Sequence, residues 1–157
     1  MNFDEIASRV ADTVERPPLA PIGTYVFVVT KLPTRRDVQD RNGGPGWEAI
    51  EYPLIAVRPT DDVDPDLFAA YGEAKNIRVT KNFMFTKDEN DKAGFEQTMF
   101  NMKEFLVKHL GGDGSKTILE LMNDSVNKQC LGVLGYRADT NDKSIQYHSL
   151  GRTAPLA

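Results

Sequence analysis

The run Thr24-Tyr25-Val26-Phe27-Val28-Val29-Thr30 constrains this chain more than any other segment, because every residue in it is β-branched or aromatic. Such side chains lose rotamer freedom in a helix and pack well on a pleated surface. Both faces of the run are apolar, so it predicts a strand in the middle of a sheet. Pro21-Ile22-Gly23 turns the chain into it. The domain built around such a strand is expected to be mainly β, with helical insertions.

The other segments fill in the order. Lys31 to Gly46 is polar and rich in Gly and Pro, and it reads as a long hairpin loop carrying Arg35, Arg36 and Arg41. A second strand is expected from about Trp47 to Val57, with Pro53 requiring an edge or a bulge because it cannot donate to a ladder. Asp61, Asp62, Asp64 and Asp66 lead into a short helix over Leu67 to Tyr71, where negative charge suits the N-terminus. The third strand, about Asn76 to Thr86, sets Ile77, Val79, Phe83 and Phe85 on one side and Arg78, Thr80 and Asn82 on the other.

An amphipathic helix from Phe95 to Leu110 follows, with Phe95, Met99, Met102 and Leu106 on one stripe and Gly111-Gly112 as its stop. A shorter helix is expected over about Thr117 to Val126. Two more strands, about Lys128 to Ala138 and Ser144 to Leu150, end the chain. This order predicts a five-stranded OB-fold-like barrel with helices between strands three and four, spanning residues 19–157. Residues 1–18 form a separate helix or arm, with Phe3, Ile6, Val10 and Val14 at helical spacing before Pro17-Pro18.

Composition narrows the class. A chain of 157 residues removes roughly 70% of its unfolded surface from water and needs no covalent staple. Cys130 is its one cysteine, which excludes an internal disulfide, suits a reducing compartment, and reads as a small buried hydrophobe. No stretch approaches the ~20 apolar residues of a membrane span, and the N-terminus lacks signal-peptide character, so a cytoplasmic protein is expected. The net charge of -4 argues against coating duplex DNA by bulk charge but is compatible with a local basic groove.

Catalytic patterns do not emerge. Gly111 to Thr117 superficially looks like a phosphate loop but has the wrong spacing and follows a helix. Asp139-Thr140-Asn141-Asp142 opens like a calcium loop, yet Ser144 and Leu150 stand where Gly and an acid are required. His109, His148 and Cys130 do not make a zinc set, and no nucleophile motif is present. No cofactor is expected. The acids from Asp61 to Asp66 are the one feature that would suit a small metal-dependent nuclease.

Aromatic and basic residues recur together, as a single-stranded nucleic-acid site requires: rings stack on bases while cations neutralise phosphates. Tyr25, Phe27, Phe83 and Phe85 are expected in the core. Trp47, Tyr52, Tyr136 and Tyr147 are the stacking candidates, and Arg35, Arg36, Arg41, Arg58, Arg78, Lys81 and Arg137 the phosphate contacts. OB barrels bind with the face of strands two and three and with the loops joining one to two and four to five. The basic first loop occupies one of those positions.

Pro21-Ile22-Gly23-Thr24-Tyr25, Lys75-Asn76-Ile77-Arg78-Val79, the helical insert and Asn127-Lys128-Gln129-Cys130 together resemble the OB-fold single-stranded DNA-binding proteins encoded by bacteriophages, over residues 19–153. The resemblance implies non-catalytic coating of single-stranded DNA during replication or recombination in the host cytoplasm, with a second copy and replication proteins as candidate partners. The chain departs from the commonest pattern in ending Gly151-Arg152-Thr153-Ala154-Pro155-Leu156-Ala157, not in an acidic recruiting tail. The alternative is a non-enzymatic protein-interaction or virion structural module that docks through Phe3, Ile6 and Val10.

Overall fold

The computed structural model describes residues 2–156. Six antiparallel strands form one sheet: β1 (Gly23–Val29), β2 (Thr34–Val38), β3 (Trp47–Pro59), β4 (Arg78–Thr86), β5 (Gln129–Ala138) and β6 (Gln146–Ala154). The helices are α1 (Phe3–Ser8), α2 (Pro65–Tyr71), α3 (Lys92–Lys103), which runs on into a π-helical turn at Glu104–His109, and α4 (Ile118–Asp124). The mainly β class with helical insertions is as the sequence predicts.

The five-stranded barrel is corrected in two respects. Ladders run from β6 to β5, β1 and β3, and β3 carries both β2 and β4. β4 and β6 come close but share no ladder, so the sheet curls without closing. The second correction is β2 itself, inside the segment that reads as loop. Its burial pattern shows why: four of its five residues are exposed, so the alternation that betrays a half-buried strand has nothing to act on.

β2 continues along β3 where β1 leaves off. Val29 stands opposite Leu54 and Thr34 opposite Glu51, with residues 30–33 breaking the line at Pro33. Pro53 falls opposite that break, so its missing N–H deprives no regular ladder partner on that side. A single long strand thus holds β1 and β2 end to end on one flank and β4 on the other.

The core lies inside the curl. Tyr25, Phe27 and Val29 of β1 meet Tyr52 and Leu54 of β3, Phe83 of β4, Cys130 and Leu134 of β5, and Met102, Phe105 and Leu106 of the helical insert. Val26, on the opposite face of β1, is also buried, as expected of a central strand. Gly132 is required by packing: a Cβ there would stand 2.8 Å from the Phe27 ring and 2.7 Å from Leu150. The expected helix over 95–110 changes pitch at Glu104, where the Leu110 N–H bonds to the Phe105 carbonyl at 2.9 Å. α1 buries nothing, and Phe3, Ile6, Val10 and Val14 are each more than half exposed.

Candidate nucleic-acid interface

Where β4 and β6 fail to pair, a polar groove of about 700 Å³ opens. Arg36, Arg78, Lys81, Arg137 and Tyr147, all expected from the sequence to contact a strand, line it together with His148. Arg78 is exposed at the start of β4, opposite Ile55 of β3. Three residues on, Lys81 belongs to the face that Ile77, Val79, Phe83 and Phe85 bury, because side chains alternate along a strand. Its ammonium is half-buried, 5.8 Å from the centroid of the Phe83 ring and 5.9 Å from that of Phe105. Burial holds the Lys81 pKa below the ordinary lysine value, and the neighbouring Cys130 acts weakly the other way.

The β6 wall is built around Tyr147. The Arg137 guanidinium lies 5.0 Å from its ring centroid and that of Arg16 lies 5.9 Å away, while the phenol donates to Asp139 Oδ1 at 3.2 Å. The segment bearing Arg16 is pinned at Ala20. Its N–H donates to His148 Nε2 at 2.9 Å, and its carbonyl accepts from the Tyr136 hydroxyl at 2.5 Å. His148 is therefore neutral at Nε2, and burial lowers its pKa. Arg16 lies outside the residues expected from the sequence, because nothing there ties the arm to Tyr147. His148 is marked by its alternation with Gln146 on β6, which suits either the surface or stacking on a base.

The remaining predicted residues disperse. Arg35 is ion-paired to Glu48, its Nε donating at 2.6 Å, and Arg36, although it lines the groove, shares its state: its Nε donates to Glu51, also in the groove wall, at 2.7 Å. Arg41 is exposed in the turn beyond β2. Trp47 is half-buried at the start of β3, opposite Val38 and Thr86. Arg58 lines a separate hollow with Phe68 and Lys75. Tyr136 keeps part of its ring exposed but its hydroxyl is committed to Ala20.

Tyr52 is corrected outright as a stacking residue, since it is wholly buried. Its ring meets Phe105 at 5.3 Å and Phe83 at 6.4 Å between centroids, and its hydroxyl lies 3.5 Å from Ser125 Oγ. The neighbouring Pro53 suggests an exposed bend, but period-two alternation places Tyr52 with Leu54 on the core face. Tyr25, Phe27, Phe83 and Phe85 are buried, as predicted.

The acids of 61–66 have local duties. Asp62 accepts from the Thr24 N–H and hydroxyl, each at 2.7 Å, and these bonds hold its carboxyl below the usual range. Asp64 caps α2 by accepting from the N–H groups of Asp66 and Leu67. Among the described residues no three His, Cys, Asp or Glu side chains cluster closely enough to hold a metal ion. Cys130 is buried, with its thiol pushed up to about 11 by desolvation. No helix among the described residues is long and apolar enough to cross a membrane. Comparison with protein-family models gives no match, and comparison with curated protein sequences gives no significant match either.

Proposed function

We propose that the protein binds single-stranded DNA, without catalysis, along the open seam between β4 and β6, as a phage-type OB-like replication or recombination protein in which β2 extends the first hairpin. The observation that supports this reading is the convergence of three basic side chains that form no salt bridge among the described residues, Arg78, Lys81 and Arg137, on one groove edged by Tyr147, in a chain whose net charge is -4. Cations at the floor and rim neutralise phosphates, and an aromatic ring at the edge takes a base of any sequence.

Fluorescence anisotropy with labelled oligo-dT at two salt concentrations tests the reading. Three phosphate contacts give log affinity a slope against log salt of about -2. Binding no tighter than ~10⁻⁴ M at low salt, a level that weak electrostatic association already reaches at physiological salt, rejects it.

The exposed Phe3, Ile6, Val10 and Val14 favour a second, compatible role, in which the arm docks on another protein or a second copy. Light scattering of the full chain against Phe3→Ser/Ile6→Ser distinguishes the two occupants: a larger species lost in the variant supports docking on a second copy, and a monomer in both removes the second copy.

A further inference from the structure

A second hollow, of about 260 Å³, adjoins the groove, and Lys81 and Asn82 line both. Its far wall is Arg152 and Thr153 of β6, and the π-helical turn contributes Glu104 and His109. His109 Nδ1 lies 2.8 Å from Thr153 Oγ1. The acid of this hollow, Glu104, is engaged by Lys108 at 3.6 Å.

Lys81 stands between the groove and this hollow. It is a half-buried ammonium that faces two phenyl rings and makes no hydrogen bond or ion pair to the described residues. A cation that has lost part of its hydration is costly unless something negative or strongly polar faces it. Across the hollow, His109 is held below its ordinary pKa by burial and then by the charge of Lys81, with Glu104 opposing. The Lys81 charge thus disfavours an imidazolium at His109, across a space that an anion would fill, and Arg152 stands exposed at its mouth.

We propose that this hollow is a seat for one phosphate of a bound strand, held by the Lys81 ammonium and the Arg152 guanidinium. The proposal rests on the strand-binding reading and fixes where the backbone crosses β4. A phosphate in the seat favours the charged forms of Lys81 and His109. Binding therefore draws a proton onto His109.

The test follows the His109 ring by NMR through a pH titration of the full chain, alone, with inorganic phosphate, and with oligo-dT. Either probe is expected to raise the His109 midpoint by about one unit, and Lys81→Met is expected to abolish the rise. Lys81→Met and Arg152→Gln each make the oligo-dT salt slope shallower, by up to about 0.7 because the two hold one phosphate. Arg152 is exposed, so its variant supplies both readouts should Lys81→Met not fold. If oligo-dT binds but neither variant changes the slope and His109 does not move, the seat is overturned and strand binding stands. If oligo-dT does not bind, strand binding fails and inorganic phosphate decides. A His109 rise lost in Lys81→Met then upholds an anion seat, and no rise overturns it.

Discussion

Two groups of basic residues on this protein use the same side-chain types and face different surroundings. On β2, Arg35 and Arg36 hold Glu48 and Glu51 on the adjacent strand, and Asp37 accepts from Lys87 at 2.6 Å. At the seam, Arg78, Lys81 and Arg137 form no salt bridge among the described residues. Exposed pairs such as those on β2 stabilise by only about 0–1 kcal/mol each, but each places a carboxylate where a phosphate would have to come. On the proposed reading, a basic residue is free to meet a phosphate only where no cross-strand acid holds it, and counting arginines along the chain does not reveal that.

The largest expected effect separates support from contact. Tyr52→Ala should lower unfolding stability by about 3–5 kcal/mol, measured by urea denaturation, while the folded fraction keeps its affinity for oligo-dT. A selective loss of affinity would place Tyr52 in the interface and undo the division. Next, Tyr147→Ala should weaken oligo-dT binding by roughly 1–3 kcal/mol with little change in stability. Smaller again is the contrast between cations: Arg78→Ala or Arg137→Ala each makes the salt slope shallower by about 0.7, and Arg35→Ala changes it by less than about half of that. Equal slopes for Arg35→Ala and Arg137→Ala would collapse the comparison.

The smallest effect is a pH dependence of stability. His148 has its folded pKa lowered from 6.5 because burial disfavours the imidazolium, and its Nε2 must stay bare to accept from Ala20. As pH falls below 6.5 the unfolded chain binds a proton that the folded chain refuses, so stability drops until the lowered folded value is passed. His109 is shifted in the same direction and adds to the slope. His148→Gln should flatten part of the loss seen between about pH 7.5 and about pH 5.5. An unchanged pH profile would mean that the Ala20 contact is not formed in solution.

Much of this architecture was legible because burial writes a period into sequence. β1, β4 and the helical insert carry apolar stripes at the spacing of their structure, and their burial follows. β2 was not legible, since a strand exposed on both faces carries no stripe. The open seam was not legible either, because whether β4 and β6 pair is decided by the curvature of the whole sheet. Within the site, the alternation on β4 puts Arg78 and Asn82 on the exposed face and Lys81 in the apolar series between Val79 and Phe83. The tether between Ala20 and His148 joins residues far apart in the chain, and no local pattern announces it.

The interruption at 30–33 also divides how the sheet opens. β1 is clasped by ladders on both sides, to β3 and β5, so its amides should be among the slowest to exchange with solvent. β2 has one ladder, to the first residues of β3, reinforced by solvent-exposed ion pairs and cut off from β1 by Pro33. It can peel away as a unit of its own, at a free energy well below that of global unfolding. Residues that look like one broken strand in space therefore belong to two separate clocks.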